Sequence, residues 1–235
     1  MAQINPPKPL RSTQKHELRE DQLTTAYARS ATFFEQHRTA VIGAAIGLVV
    51  LVAGLVGFSV YRSNQAERAQ EALGAILTQY EQGNYQAALE GTDTAPGLLE
   101  IADRYGSSTG QLATFFAADA LYQLGRYDEA LRYFERVRTD GIVGASALAG
   151  QAAVYEQRGD YARAARLYER AAGAYDSEAT VPGYLMDAGR AFEAAGDTEA
   201  ARRVYARVAD EFAETPEGDF AAIALARVEA AAAAN

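Results

Sequence analysis

The sequence predicts an all-α protein with one N-terminal transmembrane helix, an α-solenoid of about four helix pairs and a C-terminal capping helix. Three observations lead to this prediction. Residues 39–61 contain no charged side chain, a phrase of the form Gly-x-Tyr-x-x-Ala recurs after them, and no stretch alternates with the period of two expected for strands. The predicted boundaries are a tail at 1–38, an anchor at 39–61, a repeat domain at 62–215 and a capping helix at 216–235.

The uncharged segment at 39–61 is long enough to cross a membrane. As a helix that rises about 1.5 Å per residue it spans roughly 34 Å, against about 30 Å for a hydrocarbon core. The alternative, a buried helix of a soluble domain, is rarely apolar on every face over this length. A cleaved signal peptide has a shorter apolar run nearer the N-terminus, and the chain has no cysteine that a lipoprotein signal would acylate. We therefore expect an uncleaved signal anchor.

Basic residues are more frequent before this anchor than after it. Residues 1–38 carry six Lys and Arg side chains, whereas the comparable window beyond the anchor carries only Arg62 and Arg68. The positive-inside tendency then predicts a cytoplasmic N-terminus, with the large C-terminal part across the membrane. Residues 1–15 are polar and Pro-rich, which predicts disorder, and residues 16–38 predict either a juxtamembrane helix along the interface or a solvated helical stalk.

Two glycines four residues apart lie inside the anchor. Gly43 and Gly47 form a Gly-x-x-x-Gly motif, which lets two helix backbones approach closely in a membrane. The motif marks a candidate dimer face for a homodimer, although it is also common by chance in spans rich in glycine and alanine.

The composition of residues 62–235 excludes several function classes. This part holds 27 acidic and 16 basic side chains, and a net negative surface of this size repels nucleic acid and anionic lipid headgroups. The two histidines, His16 and His37, both precede the anchor, and the chain has no cysteine. A histidine-dependent triad, a thiolate nucleophile and a metal site based on His or Cys therefore cannot form in the large domain. We expect no enzyme activity, no cofactor and no metal.

A short phrase recurs four times after the anchor. It begins at Gly83, Gly125, Gly159 and Gly196, with spacings of 42, 34 and 37 residues. Glycine is expected to end the first helix of each pair, because it adopts the left-handed conformation at little cost. An aromatic residue two positions later is expected to fill the gap between the helices, and an alanine three positions after it lets them pack closely. The aromatic residues are Tyr85, Tyr127 and Tyr161, with Thr198 in the fourth copy, and the alanines are Ala88, Ala130, Ala164 and Ala201.

Other positions repeat around the same phrase. A small residue stands seven before each of the last three glycines, and a large apolar or aromatic one stands four before. Each second helix then carries apolar residues at helical spacing. The small residues are Ala118, Ala152 and Gly189, the large ones are Leu121, Tyr155 and Phe192, and the second-helix pairs are Phe134 and Val137, Tyr168 and Ala171, and Tyr205 and Val208.

The first and last parts of the repeat domain depart from the phrase. In the first copy the second helix is interrupted at residues 91–97, and a helix resumes at 98–105. At the other end, Thr215 and Pro216 predict an N-cap and a first-turn proline that open a final helix over 216–233. Its apolar side is expected to comprise Phe220, Ile223, Leu225 and Val228 and to cover the last exposed face of the solenoid.

The repeated phrase resembles the tetratricopeptide repeat, whose period is 34 residues. The resemblance covers residues 66–213 and is specific for the last three copies, although the usual Trp and the closing Pro are absent. It implies a right-handed solenoid whose first helices line a concave groove for a peptide or a partner's helix. The groove residues implied by matching positions are Phe115, Asp119, Tyr122, Gln123, Ala153, Glu156, Gln157, Met186, Arg190 and Glu193. Such a lining suits a partly apolar, basic segment, unless these residues are merely solvated or the chain's own helices fill the groove.

The layout of the whole chain resembles the ancillary subunit of the SecYEG translocon. The features that match are ELRED at 17–21, the Phe33-Phe34 pair before a single span, GLLEIADRY at 97–105, and the run of repeats. The resemblance implies a single-pass protein of the bacterial inner membrane with a periplasmic repeat domain. Translocon subunits, periplasmic chaperones and exported chains are then the expected partners. The alternatives are a scaffold for envelope or cell-division machinery of the kind linked to Tol-Pal, and a self-assembling structural membrane protein.

Overall fold

The structure, a computed structural model, describes residues 38–106 and 108–233. Of the tail predicted at 1–38, residues 1–37 lie outside the described residues, and with them the Phe33-Phe34 pair and all but the last residue of the predicted juxtamembrane helix. The described part contains the helices α1 Arg38–Glu81, α2 Tyr85–Glu90, α3 Leu98–Arg104, α4 Ser108–Gln123, α5 Tyr127–Arg136, α6 Gly141–Gln157, α7 Tyr161–Ala174, α8 Val181–Ala194, α9 Thr198–Glu211 and α10 Pro216–Ala233. A two-stranded antiparallel ribbon, β1 Gly91–Thr92 and β2 Ala95–Pro96, stands between α2 and α3.

The chain divides into two compact units, Met1–Arg62 and Ser63–Asn235. In the first unit, the large apolar side chains of α1 are open to the surroundings. Ile46, Val50 and Phe58 are 59%, 65% and 60% exposed, and the other large apolar residues of this stretch are similar. Judged by length and composition alone, α1 is the one helix in the described part that could cross a membrane.

The second unit is an α-solenoid of helix pairs. The pairs α4 with α5, α6 with α7 and α8 with α9 pack in sequence, and α10 packs on α9 and α8. The glycines that were expected to end the first helices have φ angles of 77°, 73°, 75° and 80° at Gly83, Gly125, Gly159 and Gly196. L-residues with a side chain rarely adopt this region, so the predicted left-handed turns are confirmed at all four copies.

Close packing within each pair depends on small residues. The four phrase alanines and the small residues Ala118 and Ala152 are completely buried. At Gly189 a Cβ would come within 2.4 Å of the Tyr205 ring, so glycine is required for the ring to lie there. The buried rings of Phe134, Tyr168 and Tyr205 then fill the space along the second helices.

The first copy is interrupted where the sequence indicated. Helix α2 ends after six residues, and the ribbon pairs Gly91 with Pro96 and Thr92 with Ala95. A Cβ at Gly97 would lie 2.2 Å from the carbonyl oxygen of Leu89, so the ribbon folds tightly against the end of α2. Helix α3 then resumes and buries Leu98 and Ile101 in the common core.

Two sequence predictions about side-chain position are wrong. Tyr161 does not fill a gap between helices, because it is 37% exposed at the first residue of α7, whereas Tyr85 and Tyr127 pack against the core. In α10, Phe220 and Ile223 are 62% and 68% exposed. Of the same predicted set, Val228 is buried and Leu225 packs against the core, as expected. Gly218 and Ala221, which were not predicted, are buried with Val228, and a Cβ at position 218 would lie 2.1 Å from the carbonyl oxygen of Phe212.

Candidate functional site

The predicted groove residues lie on the three first helices, in repeat order. Phe115, Asp119, Tyr122 and Gln123 belong to α4, Ala153, Glu156 and Gln157 to α6, and Met186, Arg190 and Glu193 to α8. Gln123, Gln157 and Arg190 are exposed, and the other seven are half-buried. The surface is therefore accessible, and hydrogen bonds link several of its members to neighbouring repeats.

One end of this surface is covered by the last turn of α1. The hydroxyl of Tyr80 donates a hydrogen bond to Asp119, and its ring stacks edge-to-face on Phe116 with centroids 4.9 Å apart. Burial, followed by the bond to Asp119, raises the pKa of Tyr80. At Asp119 the groove is therefore filled by one of the chain's own helices, which is one of the two alternatives to a free groove that were predicted from the sequence.

The opposite end is closed by the capping helix. The Arg227 guanidinium of α10 donates to both carboxylate oxygens of Glu193, at 2.7 and 2.8 Å. The Tyr205 hydroxyl donates to the same carboxylate at 2.6 Å. The bond from Arg227 is the main cause that lowers the pKa of Glu193, so this carboxylate is ionised and already neutralised by an internal cation.

The middle of the surface keeps an excess of negative charge. Tyr168 donates to Glu156 at 3.1 Å, and Gln157 donates to the Tyr122 hydroxyl at 3.4 Å. Arg190 forms its ion pair with Asp187 rather than with Glu156. Burial raises the pKa of Asp187, and the nearby Glu156 raises it further. Asp187 therefore has an arginine partner, whereas Glu156 forms no ion pair in the described part of the site.

Several residues that participate in this arrangement were missed by the sequence reasoning. Tyr80 and Arg227 lie outside the three first helices, and Asp187 follows Met186 on α8 at a position that the family resemblance does not assign to the groove. Tyr168 was assigned only to the core, although its position, twelve after Glu156, repeats as Tyr205 after Glu193. That recurrence is visible in the sequence and could have revealed the hydroxyl–carboxylate pairs.

The site offers binding chemistry. Phe115, Ala153 and Met186 supply apolar contact area between the polar groups, and Glu156, which forms no ion pair among the described residues, supplies negative charge for a cation. Within residues 38–106 and 108–233, no group of three or more His, Cys, Asp or Glu residues could hold a metal ion. Gly43 and Gly47 of the candidate dimer face have nothing within 4 Å of a Cβ built at either position, so that helix face is open in the described unit.

Family models cover the same helix pairs. Residues 113–140 and 147–179 match one model described as a tetratricopeptide repeat, and residues 184–215 match a second with the same description. The three matched helix pairs are thus similar to tetratricopeptide repeats. These matches are the second to fourth copies of the phrase, and the interrupted first copy lies outside them. Tetratricopeptide repeats indicate a scaffold for protein–protein interaction, a fold that is typically not catalytic.

Solved structures show the same repeat fold. The chain resembles a structure from Podosopora anserina of nearly identical TPR-like repeats described as a kinesin light chain, with a TM-score of 0.54 and 17% identity, over 72% of this chain and 88% of that one. A point variant of that protein gives a TM-score of 0.53 at the same identity and coverage. No curated protein matches the chain. At this identity the likeness establishes the fold alone.

Proposed function

We propose that the protein is a membrane-anchored scaffold whose tetratricopeptide repeats lie in the periplasm and bind proteins that work with the SecYEG translocon. The partners in this proposal are translocon subunits, periplasmic chaperones and exported chains. The observation that carries the proposal is the joining of an exposed apolar helix to a run of protein-binding repeats in one chain.

The anchor supports the membrane part of the proposal. The large apolar side chains that extend from Ile46 to Val60 are between about half and two-thirds exposed. Each Å² of apolar surface left in water costs about 25 cal/mol, and a stripe of this length would favour aggregation of a soluble protein. A lipid bilayer removes that cost, and six basic residues before the anchor favour a cytoplasmic N-terminus.

The groove supports the binding part of the proposal. Its ends are occupied by Tyr80 and Arg227, so a partner has the middle of the surface available. There Glu156, which forms no ion pair among the described residues, lies one helical turn after the apolar Ala153, and the apolar Met186 lies on the next first helix. A partly apolar segment that carries a basic side chain is complementary to this lining, and such segments are exposed in unfolded exported chains.

Site-specific crosslinking tests this function. A photoreactive residue at Tyr122 or Met186 of the full-length protein in intact membranes is expected to trap translocon subunits, chaperones or exported chains. The matched control is the same probe at Arg202, which is exposed on the second helix α9. The proposal fails if the groove positions trap none of these proteins, or trap the same set as Arg202.

Membrane insertion is tested separately. Alkaline extraction should leave the protein in the membrane, and protease added to spheroplasts should remove the repeat domain. Replacing Val50 and Leu51 with Arg is expected to release the protein, because each charged residue at a helix centre costs about 3 kcal/mol of insertion. Extraction of the unaltered protein, or protection of the repeats from external protease, would contradict the proposed topology.

The other candidate functions predict different results. If the protein is a scaffold for envelope or division machinery, the crosslinked partners should be proteins of the Tol-Pal type and not translocon components. Self-assembly is favoured by the open face at Gly43 and Gly47. Gly47→Ile should then abolish a dimer measured in mild detergent, and a dimer that persists in this variant would exclude that face.

A further inference from the structure

The arginines of the repeat domain fall into two groups. Residues 69–233 contain 14 arginines, and eleven of these have a carboxylate oxygen within 4.0 Å. The other three are Arg163, Arg166 and Arg170, which form no ion pair with any carboxylate in the part of the chain that the structure describes. In a domain where acidic side chains outnumber basic ones, the absence of pairing at three arginines requires an explanation.

These three arginines line the same cavity. They lie on one face of α7 at positions i, i+3 and i+7, and they open onto a space of about 390 Å³ between α5, α6 and α7. The apolar floor is formed by Tyr155 and Leu167, which are 7% and 6% exposed. The site therefore has a cationic rim over an apolar base.

Two contacts hold the rim and floor in place. The Arg163 guanidinium lies over the Tyr155 ring, with its Cζ 4.4 Å from the ring centroid. The face of an aromatic ring attracts a cation. The N–H groups at the edge of the Arg163 guanidinium take no part in this contact, and they have no carboxylate acceptor among the described residues. The buried Gln151 donates to the Phe134 carbonyl at 3.3 Å, which fixes the wall on the α6 side.

The sign of the charge changes at this cavity. Glu135 of α5 is the single acidic residue among the residues that line it, against three arginines. This excess of positive charge is complementary to an anion with several negative groups. Three positions spread over seven residues of a helix extend about 10 Å along its axis, which suits a row of carboxylates better than one phosphate group.

We propose that this cavity is a docking site for an acidic segment of a protein partner, whose carboxylates pair with Arg163, Arg166 and Arg170. Arginine presents paired N–H groups that match a carboxylate in two-point geometry. A partner helix with acidic residues at i, i+3 or i+4, and i+7 would match the arginine row. This surface lies mainly on the second helices α5 and α7, apart from the groove residues on the first helices, and it does not depend on the membrane placement.

The test compares two labelled peptides on the full-length protein in detergent micelles. Both are Ala/Gln-based helices of about 15 residues; one carries Glu at i, i+4 and i+7, and the other carries Gln at the same places. Fluorescence anisotropy should show the Glu peptide binding at least about tenfold more tightly. The double variant Arg166→Gln, Arg170→Gln should remove this difference, and Glu135→Gln should strengthen binding of the Glu peptide.

The matched control removes the same charge elsewhere. Arg202→Gln with Arg207→Gln changes two exposed arginines of α9 that are already paired with Glu199 and Glu211, and it should retain most of the discrimination. Equal binding of the two peptides to the unaltered protein overturns the proposal, and so does an equal loss in the control. Inorganic phosphate or phosphatidylglycerol vesicles that bind through Arg166 and Arg170, without a Glu-over-Gln preference, would assign the site to phosphate or lipid and overturn protein docking.

Discussion

Gly189 provides a sharp test of how the repeats pack. It stands in α8, and a Cβ at this position would lie 2.4 Å from Cε1 and 2.7 Å from Cζ of Tyr205. The Tyr205 ring is 1% exposed, and its hydroxyl is bonded to Glu193 at 2.6 Å. Because these distances are shorter than any normal contact, Gly189→Ala must displace the buried ring or α8 and disturb the hydrogen bond to Glu193.

The expected effect is a net loss of stability. Alanine in place of glycine in a helix gains about 1 kcal/mol of propensity. Overpacking a filled core costs roughly 1–3 kcal/mol, and losing a hydrogen bond to a charged group costs at least about 1.5 kcal/mol. The free energy of unfolding should therefore fall by about 2.5 kcal/mol when typical values from these ranges are combined.

Urea unfolding of the full-length chain in detergent micelles, followed by circular dichroism, measures this change. Gly183→Ala is the matched control, because it lies in the same helix and has nothing within 4 Å of the added Cβ. It should be neutral or gain up to about 1 kcal/mol. If Gly189→Ala proved as stable as the unaltered protein, the close approach of α8 to Tyr205 would be wrong.

Three further predictions concern single side chains. Hydrogen bonds, the one from Arg227 above all, keep the pKa of Glu193 below its ordinary value, so its stabilisation is present above about pH 4.3 and lost as the pH falls through the lowered pKa. Glu193→Gln should therefore reduce the urea midpoint at pH 7, and the difference from the unaltered protein should shrink as the pH falls through that lowered pKa. Tyr168→Phe should cost about 1.5 kcal/mol in urea unfolding, because it removes the hydrogen bond to the Glu156 carboxylate, while Phe134 shows that a plain ring fits the equivalent place. A cost above about 3 kcal/mol would contradict this. Phe220→Ser should change the melting temperature little, whereas Val228→Ala should lower the free energy of unfolding by about 2 kcal/mol; equal effects would refute the burial pattern of α10.

The sequence predicted the structure well at positions where the backbone conformation strongly favours one residue type. Gly159 and Gly196 were predicted to end helices, and both have positive φ. The residues that follow them could have been used further. Asp160 and Asp197 accept hydrogen bonds from backbone N–H groups three residues on, at 3.2 and 3.0 Å, as N-cap aspartates do.

Contacts between repeats were harder to predict than contacts within them. Within a repeat, the helix period fixes which residues face each other, so Ala152 and Tyr168 could be assigned to the core. Between repeats, the contact depends on the small rotation of each pair on the next. That rotation brings Arg203 within 3.2 Å of Glu169 and Arg227 within 2.7 Å of Glu193. The partners of each pair are 34 residues apart, and a single sequence does not show that they meet.

The capping helix shows why an apolar pattern alone did not identify its buried face. Two stripes of α10 contain apolar residues, and the larger side chains, Phe220 and Ile223, suggested the wrong one. The helix packs through Gly218 and Ala221 because small residues allow it to approach the preceding turn closely, and Val228 completes that contact. Close approach also brings Arg227 within 2.7 Å of Glu193. The contact that closes the end of the groove therefore depends on the small residues of α10, and the large ones remain on its outer side.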